Sequence, residues 1–180
     1  MFKVEKPKSY CEYARDLPED NLHKIYHDHH YGVAIDDDNE LFERLVLEIN
    51  QAGLSWDTIL KKQENFKKAY DYFDIKKVAS YDETQKQRLL NDAGIIRNRL
   101  KIDAAIYNAN AILKLQKEFG SFRAFIDANH PKEKQEWVRL FKKHFKFVGG
   151  EIVGEFLMSI GILDGAHTKE CYLYNHSFNR

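Results

Sequence analysis

A surplus of charge is the first thing this sequence lacks: 28 Lys and Arg residues stand against 28 Asp and Glu residues, so the total advertises no polyanion-binding surface. Long apolar runs are missing too, and no stretch is long enough to span a bilayer. The opening MFKVEKPKSY contains no apolar segment of the kind a secretory leader needs, which makes a cytoplasmic location the expectation. Two cysteines are too few for a scaffold held together by disulfides, and in a chain without a leader a disulfide is the less expected use of them. Three prolines and nine glycines leave few obligatory breaks.

What is present is the material of a folded globular protein. Hydrophobic residues make up 43% and charged residues 31%, which argues against a disordered or a membrane-embedded chain. The 180 residues suffice for one domain, or a compact pair of lobes, with a sizeable core. Charge is sorted along the chain. Acidic residues cluster at Asp36, Asp37, Asp38 and Glu40, while basic runs occur at Lys61-Lys62, Lys67-Lys68, Arg97 to Lys101 and Lys142 to Lys146. That separation permits one basic face, although Lys61 to Lys68 is read as the solvated side of a helix.

The periodicity is helical almost throughout. Leu41, Phe42, Leu45, Val46 and Ile49 fall on one stripe behind Asp37 or Asp38 as N-cap. Ser55 should cap a helix carrying Ile59, Leu60 and Phe66, followed by a short one near Ile75 to Ala79. A helix opened by Asp82 is expected to stop at Gly94 in a left-handed conformation. A longer one is expected from Arg97 to about Glu118. Further helices are predicted over Ser121 to Ala128, Lys132 to His144 and Gly150 to Ile160. No alternating strand pattern, repeat or linker is visible. The reading is one all-α unit over residues 1–180 with roughly eight helices.

Three local features carry chemistry. His167 and Cys171 are four residues apart, a spacing that lets both face one metal ion, and Cys11 with one of His23, His27, His29 or His30 could complete the set. Such a Cys2His2 site has no open position, so its zinc would be structural. The alternative is two ordinary cysteines and several surface histidines. The second feature is Leu47 to Trp56. Glu48 sits beside Ile49 at the edge of the apolar stripe, where a carboxylate should be paired or functional, and Trp56 follows a Gly-Leu-Ser break where an indole can line a pocket. Taken alone, that segment reads as a surface glutamate and a core tryptophan. The third is Phe145-Lys146-Phe147-Val148-Gly149-Gly150 between two helices, a glycine turn whose free N–H groups could hold a phosphate beside Lys142, Lys143 and Lys146. Glycine at such a junction can also serve packing alone.

Together these features resemble the bacterial type I DNA-3-methyladenine glycosylases of the helix-hairpin-helix superfamily. The resemblance runs from Cys11 to Cys171. It rests on Tyr26-His27-Asp28 with Tyr31-Gly32-Val33, on Glu48 with Gln51 to Trp56, on Asp92 to Arg99 with Lys101-Ile102, on Phe145 to Gly149, and on His167 with Cys171. It implies an all-α helix-hairpin-helix glycosylase bundle whose zinc site, Cys11, His27, His167 and Cys171, joins the N- and C-terminal segments. It implies a base pocket at Tyr26, Tyr31, Glu48 and Trp56, with Glu48 as the catalytic residue. DNA contacts are implied at the wedge turn Gly53-Leu54 and at the hairpin with Lys146, Gly149 and Gly150. The partner would be double-stranded DNA containing alkylated bases, with no membrane, and the protein would act as a monomer in the bacterial cytoplasm. Tyr31 and Tyr13 stand where the family usually has tryptophan, Ile49 and Asn50 where smaller or differently polar residues are common, and Cys11 precedes His27 by a slightly long 16 residues.

The activity so implied is excision of 3-methyladenine by hydrolysis of its N-glycosidic bond, leaving an abasic site without lyase chemistry. Asp164, the only aspartate between the hairpin and the C-terminus, is read as capping or orienting the His167 loop rather than as catalytic. A zinc-stabilised DNA-binding protein of the same fold without glycosylase activity is the alternative. A zinc hydrolase would need one of the four ligands replaced by water.

Overall fold

Short polar side chains set most of the helix starts. Asp37, Ser55, Asp82, Asn98 and Ser121 each precede a helix and accept a hydrogen bond from an N–H of its first turn, satisfying donors that have no intrahelical partner. In the computed structural model, which describes residues 7–174, the helices are α1 (Tyr10–Arg15), α2 (Leu22–His29), α3 (Asp38–Gln51), α4 (Trp56–Ala69), α5 (Ile75–Ala79), α6 (Glu83–Asn91), α7 (Arg99–Phe119), α8 (Phe122–Asn129), α9 (Lys134–His144) and α10 (Gly150–Ser159). A 3-10 turn, Asp71–Phe73, follows α4. No strand occurs among the described residues, and none of the helices there is long and apolar enough to cross a membrane. The all-α expectation is met.

Several expected boundaries shift for local reasons. The α6 helix ends at Asn91, with Asp92 as C-cap, rather than at Gly94. Gly94 is not left-handed; its N–H donates to Asp92 Oδ1 at 2.7 Å, so the aspartate side chain organises this turn. The α7 helix starts at Arg99, two residues later than Arg97, because the Asn98 side chain accepts from the Lys101 N–H. The two extra helices, α1 and α2, lie in a Tyr- and His-rich segment with little apolar periodicity, and side-chain caps at Ser9 and Asn21 start them.

The described residues form two compact units, one from those within 1–34 and 157–180 and the other from 35–156. In the second unit, α3 packs against α4, α5, α7 and α8, and α7 also packs against α5, α6 and α8. The α3 stripe Leu41, Phe42, Leu45, Val46 and Ile49 is buried as expected, but Arg44, Leu47, Glu48 and Asn50 are buried as well. Neighbours on several sides turn an amphipathic pattern into a central helix. Trp137, Phe42, Phe66, Phe122, Phe125, Phe141 and Phe156 complete this core, each such ring contributing about 1.5–3 kcal/mol on burial. In the first unit, α1 packs on α2.

Candidate active site and metal centre

Within the first unit, Cys11 comes from α1, His27 from α2, and His167 and Cys171 from the segment after α10. Their ligand atoms all lie within 4.8 Å of one another. Cys11 Sγ is 3.7 Å from His167 Nδ1, and Cys171 Sγ is 3.6 Å from His27 Nε2 and 3.7 Å from His167 Nδ1. Two ligands of one tetrahedral ion, with bonds of about 2.0–2.3 Å, stand apart by about that distance. The remaining ring nitrogens are also engaged. His27 Nδ1 lies 2.7 Å from Asp28 Oδ1 and His167 Nε2 lies 2.9 Å from the Tyr31 carbonyl, so each ring donates outward and turns its lone pair inward. Of the four histidines that spacing leaves open, only His27 joins the cluster; His23 instead faces the Tyr10 hydroxyl. This buried Cys2His2 group can hold a metal ion.

The loop around the cluster is shaped by Gly32. Its φ is +75°, and a Cβ there would sit 2.9 Å from Ala166 Cβ and 3.2 Å from His167 Nε2. Both the left-handed backbone and the close approach require glycine. Asp164 is exposed, and the His167 ring is held through its Nε2 by the Tyr31 carbonyl. Tyr26 is buried and Tyr31 half-buried in the same unit, with ring centroids 5.6 Å apart.

In the second unit, the surface-glutamate reading is overturned: Glu48 is only 4% exposed. Burial pushes its carboxyl up to about 8, while Arg44 one turn earlier pulls it down and Glu155 pushes it further up. Trp56, read as core, is half-buried as the first residue of α4. Between α3 and α4 the chain makes an exposed turn. Gly53 has a φ of +82° with open space where a Cβ would be, and Leu54 is 41% exposed.

The α9 and α10 helices flank residues 145–149. Phe145 and Val148 are buried, Lys142, Lys143 and Lys146 are exposed, and a Cβ on Gly149 or Gly150 would meet nothing within 4 Å. Sequence reasoning gave no role to Asp28, Arg44 or Lys101. A carboxylate adjoining a histidine of the cluster was the available signal for the first; the other two depend on packing.

Residues 17–139 match the methyladenine glycosylase family model. DNA-3-methyladenine glycosylase 1 of Escherichia coli (strain K12) is 37% identical over 177 residues, covering 88% of this chain and 94% of that protein. A crystal structure of 3-methyladenine DNA glycosylase I superposes with a TM-score of 0.78 at 35% identity, covering 87% of this chain and 96% of that one. A tyrosine-to-phenylalanine variant of 3-methyladenine DNA glycosylase I, solved in complex with 3-methyladenine, gives 0.77 at 32% identity, covering 86% and 93%. An all-helical chain with a buried carboxylate and a Cys2His2 cluster, matched over most of its length, belongs to the methyladenine glycosylase family.

Proposed function

We propose that this chain, 1–180, acts as a single glycosylase domain that flips 3-methyladenine out of alkylated double-stranded DNA and hydrolyses its N-glycosidic bond, leaving an abasic site. The observation that carries the reading is Glu48, a carboxylate buried on a central helix with its pKa raised to about 8. Perturbed, desolvated carboxyls of this kind mark functional sites.

A base inside the stack cannot be reached, and alkylated bases unstack at lower cost. Methylation at N3 makes adenine cationic and weakens its bond to deoxyribose, so the leaving group arrives activated. Glu48 accepts a hydrogen bond from the purine edge and, once ionised, complements its charge. Trp56 offers a ring face, and the resemblance assigns the same role to Tyr26 and Tyr31; each well-placed ring favours the cation by about 0.5–2 kcal/mol. Water attacks the sugar as positive charge develops there, stabilised by the DNA phosphates and nearby dipoles. Gly53-Leu54 enters the duplex as a wedge, and Lys146, Gly149 and Gly150 grip the backbone in a helix-hairpin-helix arrangement.

The donor set of two thiols and two imidazoles suits zinc. Held by Cys11, His27, His167 and Cys171, one structural zinc would cross-link distant parts of the chain. The protein is proposed to work as a monomer in the cytoplasm. Incubating purified protein with alkylated duplex and identifying the released base tests the reading: free 3-methyladenine is expected, and tight DNA binding with no base release would leave only a binding protein.

A further inference from the structure

Two loops assigned above to DNA, the Gly53-Leu54 turn and the 145–149 hairpin, are both fastened to one helix, α7. Near its start, the Lys101 ammonium donates to the carbonyls of Asn50 at 2.8 Å and Ala52 at 2.7 Å. Helix α3 ends at Gln51, so these oxygens lie beyond the reach of its own N–H ladder. A cation is also the right charge for a helix C-terminus, and its hydrogen bonds are charge-assisted. Lys101 is 5% exposed, which is a costly place for an ammonium unless its bonds are needed. Burial draws its pKa below the ordinary lysine value.

Two turns further along α7, Asn108 is fully buried and clamps the hairpin through both backbone groups of one residue. Its Oδ1 accepts from the Lys146 N–H at 2.8 Å, and its Nδ2 donates to the Lys146 carbonyl at 3.1 Å. The next residue, Phe147, is left-handed at φ 58°, a conformation a phenylalanine holds only when its surroundings fix it. The Lys101 ammonium also sits 5.9 Å from the Phe147 ring centroid. Positions seven apart in a helix share a face and lie about 10.5 Å apart along its axis. Helix α7 thus works as a rail with the turn fixed at one point and the hairpin at another.

We propose that Lys101 and Asn108 are positioning residues that hold the wedge turn at a set spacing from the phosphate-gripping hairpin, so that grip and base opening act on the same lesion. The proposal rests on the assignment of both loops to DNA. Neither residue is catalytic: each acts through backbone groups of a loop that would meet the DNA. Lys101 additionally steadies the last turn of α3, two residues beyond Glu48.

The test is single-turnover release of 3-methyladenine from two duplexes, one with the lesion opposite thymine and one with it opposite an abasic site, where the base has no pairing partner to lose. The ratio of the two rates cancels the active fraction, so partial misfolding does not move it. In Lys101→Met the paired-to-unpaired ratio should fall at least about tenfold, since small misplacements of this kind cost that much or more. Lys101→Arg, which keeps the charge and donors, should restore most of it. Asn108→Leu should lower the ratio in the same direction, and it decides the matter if Lys101→Met does not fold. A wild-type ratio in these variants overturns the proposal. Absence of base release by the wild-type protein would instead overturn the reading of function.

Discussion

Asp28 holds His27 by the nitrogen that faces away from the cysteines. The carboxylate accepts from His27 Nδ1 at 2.7 Å while His27 Nε2 lies 3.6 Å from Cys171 Sγ. Asp28 is itself held by Lys24 at 3.0 Å and by the Tyr172 hydroxyl. Burial would raise its pKa, but the bonds from His27, Tyr172 and Lys24 outweigh that and bring it down to about 2. The carboxylate is therefore ionised throughout the working pH range and fixes the imidazole tautomer.

Replacing that carboxylate should loosen the metal without unfolding the protein. Asp28→Asn is expected to weaken zinc binding about ten- to a hundredfold, measured by competition with a chromophoric chelator. Unchanged affinity would contradict the positioning of His27 by Asp28.

Removing the metal should destabilise the fold, because the ligands join residues 11 and 27 to residues 167 and 171 and close a long loop. Metal analysis is expected to find close to one zinc per chain. A strong chelator should lower the melting temperature, and a metal-free protein indifferent to chelation would rule out the structural role.

Glu48 should cost stability at neutral pH. Its folded pKa, about 8, lies above the ordinary glutamate value, so the folded state binds the proton more tightly than the unfolded one. Stability is then greatest below the ordinary pKa and is lost as pH rises toward 8. Glu48→Gln removes that penalty and is expected to be more stable than wild type at pH 7, by an amount on the order of 2–3 kcal/mol, with little difference at pH 4.5. Denaturant melts at the two pH values measure this; equal stability at pH 7 would mean that Glu48 is not desolvated.

Lys146 should matter for affinity and not for selectivity. Its ammonium rests 4.4 Å from the Tyr107 ring centroid in an exposed position. Lys146→Ala is expected to weaken binding equally for damaged and undamaged duplex and to reduce the salt slope by about 1. Fluorescence anisotropy across a salt series would show this, and an effect confined to damaged DNA would move Lys146 out of the backbone grip.

Much of this protein is legible in its sequence because its punctuation is local. Asp37, Ser55, Asp82 and Ser121 mark helix starts with short polar side chains, and the α3 stripe from Leu41 to Ile49 is buried as its period requires. The burial of Glu48 was not legible, because one residue beside an apolar stripe is inside or outside according to how many neighbours a helix has. Nor could spacing choose His27 from four histidines; the family resemblance singled it out, and the second turn of α2 sets its ring against Cys171. Lys101 and Asn108 read as polar residues on a long amphipathic helix. Their roles come from carbonyls contributed by segments 51 and 38 residues away.

The pH dependence of single-turnover 3-methyladenine release by wild type and Glu48→Gln tests the central claim most directly, with spontaneous depurination subtracted at each pH. The anion is the form that complements a cationic base, and its fraction grows as pH approaches the raised pKa of about 8. Wild-type release should therefore climb with pH and level off near that value. Glu48→Gln, folded by circular dichroism, should be slower by roughly ten- to a hundredfold, the cost of a lost hydrogen bond to a charged group, and should lack the rise. A folded Glu48→Gln protein with the wild-type rate and profile would remove this carboxylate from base recognition.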